Sequence, residues 1–68
     1  MKFILEADLI DGTGHTLCGS TGDQLAEAEV FIRNWRLHPD MRFQWTAPNG
    51  GFSGIYRDVV AARLTVEA

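Results

Sequence analysis

Cysteine, lysine and proline are all scarce in this 68-residue chain, and each scarcity excludes something. Cys18 stands alone, so no internal disulfide can form, and the composition suits a reducing compartment. The basic residues are Lys2 and five arginines against nine acids, a net charge of −3. A general nucleic-acid binder is expected to show the opposite excess. Long apolar runs are missing as well. Phe3-Ile4-Leu5 is cut short by Glu6 and Asp8. That is too short for the core of a secretion signal and far too short to span a membrane. There are two prolines, Pro39 and Pro48, and no repeat, low-complexity stretch or linker. The chain therefore reads as one domain over residues 1–68, soluble and cytoplasmic. A domain this small buries only about 60% of the surface its unfolded chain exposes. Tight packing or self-association then has to supply what disulfides or metals supply elsewhere.

The charge that is present is unevenly spread. Residues 1–29 carry Glu6, Asp8, Asp11, Asp23, Glu27 and Glu29 against Lys2. Residues 30–68 carry Arg33, Arg36, Arg42, Arg57 and Arg63 against Asp40, Asp58 and Glu67. This balance favours a protein or small-molecule partner over nucleic acid.

Residues 2–10 alternate, with Phe3, Leu5, Ala7 and Leu9 on one side and Ile4, Glu6, Asp8 and Ile10 on the other. Period two with acids on one face predicts a half-exposed strand. Asp11-Gly12-Thr13-Gly14 has turn composition, and His15 to Cys18 predicts a short returning strand. A helix is expected over roughly Gly22 to Leu37. Thr21 and Gln24 fit a capping box, Glu29 and Arg33 have the favourable i,i+4 order, and Pro39 disfavours helix at His38. Arg42 to Thr46 reads as a strand, Pro48-Asn49-Gly50-Gly51 as a turn, Phe52 to Arg57 as the return, and Val59 to Val66 as the last strand. The fold class is α+β: a small antiparallel sheet of three to five strands with one amphipathic helix packed on one face.

At 100° per residue, Leu25, Ala28, Phe31, Ile32 and Trp35 share one sector of the helix. They are expected to pack on Phe3, Leu5, Leu9, Phe43, Trp45, Val60, Leu64 and Val66. A second sector holds Ala26, Val30 and Leu37. It reads either as a partner surface centred on Val30 or as a stripe covered by a loop such as the one around Met41. The tip of the second hairpin, with Asn49, Phe52, Tyr56 and Arg57, is another candidate, because aromatic and arginine side chains anchor interfaces. Its other reading folds Phe52 and Tyr56 back onto the sheet.

Catalytic and metal chemistry have little to stand on. Glu6 and Asp8 share a strand face, which cross-strand pairing with Arg42 or Arg63 explains. His15 and Cys18 point to opposite faces of a strand. His38 and Asp40 lie at the far end of a helix about 24 Å long. Neither metal nor cofactor is expected, and Cys18 reads as a small buried residue. The order of a hairpin and then a helix with an Ala26-Glu27-Ala28 run resembles small antitoxins and the arm-type DNA-binding domains of integrases. These strands lack the basic residues of the second class, and no site residue is carried over from either.

The function expected is that of a non-enzymatic protein-binding module: an inhibitor, an antitoxin-like protein or an accessory protein of a phage or mobile element. It would act through the helix face, the hairpin tip, or the acidic strand face of Glu6 and Asp8, and a homodimer through the helix stripe is a further option. The alternative is a nucleic-acid-associated module using Arg42, Arg57 and Arg63 with Tyr56 or Trp45 across a sheet.

Overall fold

β1 (Lys2–Leu9) is the central strand of the molecule, in a computed structural model that describes residues 1–47 and 50–67. It is flanked by β2 (Gly14–Gly19) and β5 (Val59–Glu67), both antiparallel to it. Period two then puts Phe3, Leu5 and Ala7 into the core and leaves Ile4, Glu6 and Asp8 on the open outer face. The turn from β1 to β2 uses Gly12 at φ +90°, a conformation that costs glycine little. Gly19, opposite Phe3 in the ladder, leaves room for its ring. A Cβ at Gly19 would lie 2.5 Å from that ring.

α1 (Gly22–Leu37) starts and stops where its caps place it. The Thr21 side chain accepts from the Gln24 N–H at 3.2 Å, and the Gln24 side chain accepts in return from the Thr21 N–H at 3.2 Å. The His38 N–H closes the last turn on the Asn34 carbonyl at 2.7 Å, and Pro39 follows. Among the described residues, no helix is long and apolar enough to cross a membrane.

Among the described residues, five strands and one α-helix in the order ββαβββ make an α+β fold, but the strands form two sheets. Among the same residues, β3 (Arg42–Ala47) and β4 (Gly50–Ile55) pair only with each other, in a register that sets Trp45 against Phe52 and Phe43 against Gly54. The returning strand ends earlier than its sequence suggests. Tyr56–Asp58 form a 3₁₀ turn whose Tyr56 and Arg57 N–H groups donate to the carbonyls of Met41 and Pro39, at 3.0 and 2.8 Å. Pro48 and Asn49 of the expected turn lie outside the described residues.

The core consists of Phe3, Leu5, Ala7, Leu17, Ala28, Phe31, Phe43, Tyr56 and Val59. Leu9, Leu25, Ile32, Trp35, Trp45 and Leu64 pack against it as expected. Val60 and Val66 do not, being 58% and 48% exposed. The cause at Val60 is an irregularity in the ladder. The register runs Asp8 to Ala61 and then Leu9 to Val59, so Val60 is skipped and Val59 turns inward. The Val59 carbonyl is taken by the Trp35 indole N–H at 2.9 Å. Val66 keeps the inward parity but lies opposite Phe3 at the end of the ladder.

Burying one large apolar side chain contributes about 1.5–3 kcal/mol. Leu5→Ala is expected to cost about 2–5 kcal/mol, and Val60→Ala no more than about 0.5 kcal/mol. Urea unfolding checks both: the midpoint should fall sharply for the first and hold for the second. Equal losses would put Val60 in the core after all.

Candidate functional site

The second stripe of α1 is not covered by the loop around Met41. Met41 is itself exposed, and Val30 is 40% exposed. The stripe instead forms one wall of a groove of about 520 Å³ between α1 and β3. Ala26, Glu27 and Val30 line the helix side, Gln44 and Trp45 the strand side, with Phe31, Phe43 and Tyr56 between. Sequence period explains each wall. Ala26 and Val30 are four apart and share a helix face, while Phe43 and Trp45 are two apart and share a strand face. Leu37, grouped with Ala26 and Val30 by helical angle, is not a wall residue. It lies about 10 Å further along the axis than Val30 and is 63% exposed.

The floor is aromatic. Phe31 meets Phe43, Phe52 and Tyr56 edge-on, with centroids at 5.1, 6.0 and 5.2 Å. Phe52 also stacks on His15 of β2 at 4.5 Å with ring planes 10° apart, which joins the two sheets. Phe52 and Tyr56 thus hold the hairpin onto the body, and Tyr56 is only 5% exposed. Arg57 pairs with Asp40 at 3.4 Å on the surface. Asn49, the remaining member of the tip candidate, lies outside the described residues. The use of Trp45 as a groove wall was not separable by sequence from a core role, since its alternation with Phe43 suits both.

On the outer sheet face Glu6 pairs with Arg63 at 3.1 Å, one of the two cross-strand partners expected; the other, Arg42, belongs to the separate β3–β4 sheet. Asp8 stands on the same face opposite Gly14 and Ala61. Cys18 is exposed there beside Ile4, which corrects its reading as a buried residue. Its strand parity, opposite to that of buried Leu17, turns it outward. Among the described residues, no three His, Cys, Asp or Glu side chains are grouped to hold a metal ion. At the β1–β2 turn Asp11 Oδ1 accepts from the Thr13 hydroxyl at 2.6 Å and from its N–H at 2.9 Å. The Thr13 hydroxyl first, and then its N–H, hold the Asp11 carboxyl below its ordinary value of 3.8.

No protein-family model, curated protein or solved structure matches this chain significantly.

Two predictions follow from this geometry. Val30→Asp should change stability by no more than about 1 kcal/mol, whereas Phe43→Ala, removing part of the floor, should cost about 3–5 kcal/mol. Thermal unfolding of both variants checks the contrast, and unfolding of Val30→Asp would make the stripe core. Separately, Asp11 should titrate below 3.8 by carboxyl NMR, and Thr13→Val should move its midpoint upward. Because the folded value is the lower one, its stabilisation is complete above the unfolded value and is lost as pH falls through the folded value.

Proposed function

We propose that this chain is a small non-enzymatic protein-binding module whose α1–β3 groove receives an apolar side chain from a partner protein. The observation that carries this reading is the groove itself: an uncovered Ala26–Val30 wall facing Trp45 over an aromatic floor. Apolar surface of this kind, rimmed by polar Glu27 and Gln44, marks interaction sites on small soluble domains. Trp45 is the anchor type most enriched among energetically dominant contacts. An inhibitor, an antitoxin-like protein or a phage or mobile-element accessory protein working in the cytoplasm fits a domain of this size and acidity.

The arginine–aromatic sheet face of the alternative is less well supported. Tyr56 is buried, Arg57 and Arg63 each face an acid, and Arg42 lies on the opposite strand face from Trp45.

A photo-crosslinking residue at Ala26, with a second at Ser53 as the control, tests the proposal in cells of the source organism. One discrete protein adduct at position 26, absent at 53 and lost when folded Val30→Asp is used, is the expected result. Equal labelling at both positions, or adducts unchanged by Val30→Asp, would remove the groove as the binding face.

A further inference from the structure

We infer that two copies of this chain pair antiparallel through the free edge of β5, centred on Thr65, to form a continuous six-stranded sheet. β5 is a nine-residue strand whose one ladder, among the described residues, is with β1. Beyond Val59, whose carbonyl the Trp35 indole takes, its other edge pairs with no strand among the described residues and presents backbone donors and acceptors, the usual template for another strand. The strand contains no proline, and its single irregularity lies at the Val59 end.

Charge selects both the occupant and the register. Within one copy the outer face sets Glu6 opposite Arg63 and Lys2 opposite Glu67. A two-fold axis at Thr65 brings Arg63 opposite Glu67 of the second copy, and Glu67 opposite its Arg63. The row across the four central strands then reads Glu6, Arg63, Glu67, Lys2, with charges alternating at every step, and the axis generates it twice. On the inner face Leu64 falls opposite Val66, the apolar residue left 48% exposed at the end of the ladder. Neighbouring registers lose this match. Centring on Arg63 sets the two arginines against each other, and centring on Leu64 sets Arg63 against Thr65. The other sheet edge, β2, reads Gly-His-Thr-Leu-Cys-Gly and carries no acid or arginine to fix a register.

Sedimentation equilibrium tests this on the whole chain between about 10 μM and about 1 mM, a range that spans weak self-association. The wild type should move from 7.6 kDa toward twice that mass. Glu67→Arg should raise the dissociation constant about tenfold or more, since it turns two cross-strand attractions into repulsions. Arg63→Glu should do the same. An equimolar mixture of the two variants should dimerise again, because each chain then meets unlike charges at both positions. If Arg63→Glu, which also faces Glu6, loses its fold, Glu67→Arg alone decides. A wild type monomeric throughout, a Glu67→Arg variant associating like wild type, or a mixture of folded variants that stays monomeric would each overturn the pairing. Val30→Asp should leave this association unchanged, which keeps it separate from the groove.

Discussion

The ring of Phe31 is the constraint on which the rest of the structure depends. The β3–β4 hairpin shares no ladder with the three-stranded sheet among the described residues, and an isolated two-stranded hairpin is marginal in water. What attaches it is side-chain packing. Phe31 stands on the helix, buried, and meets one aromatic from β3, one from β4 and one from the 3₁₀ turn. Edge-on aromatic pairs contribute about 0.5–1.5 kcal/mol each beyond the area they bury. The backbone hydrogen bonds from Tyr56 and Arg57 to the loop after α1 then fix the hairpin's base. The His15–Phe52 stack fixes it against β2.

This arrangement also explains why a groove exists at all. Helix and hairpin converge on Phe31, and Ala26 and Val30 on the helix and Trp45 on β3 are left as the walls of a groove floored by Phe31, Phe43 and Tyr56. A partner resting there would touch the same rings that attach the hairpin. Binding would therefore favour the docked hairpin by mass action. The groove lies where the hairpin is joined to the helix.

Much of the fold was legible where local chemistry decides it. Thr21, Gln24 and Pro39 fixed both ends of α1, because caps and proline act within a few residues. The alternation of β1 separated Phe3, Leu5 and Ala7 from Glu6 and Asp8 for the same reason. Val59 and Val60 were not separable: two adjacent valines carry no mark of which one a skipped ladder position will turn inward. The split into two sheets was equally hidden, since period two states that a strand has an inner face but not which neighbour completes it. At the site, Ala26 and Val30 were legible as an apolar helix stripe, but Leu37 shares their helical angle and not their position along the axis. The inward turn of Phe52 depends on a stack with His15, thirty-seven positions earlier in the chain, which no local pattern announces.

The exposed charges carry more information about pairing than about stability. The Glu6–Arg63 pair is solvated and, like most surface pairs, is worth about 0–1 kcal/mol. Its effect on register is larger than that figure suggests. The inner faces of β1 and β5 present Phe3, Leu5 and Ala7 against Val66, Leu64 and Ala62, apolar throughout. A slip of one residue would turn every side chain to the wrong face and is excluded by burial alone. A slip of two preserves the faces, and the apolar side discriminates against it only through side-chain size. The outer face discriminates through charge. The native register sets two unlike pairs opposite one another, Lys2 with Glu67 and Glu6 with Arg63. A two-residue slip one way keeps only Asp8 opposite Arg63 and sets Glu67 against Ile4, while the slip the other way loses both pairs. The sheet's polar face therefore specifies the alignment that its apolar face stabilises.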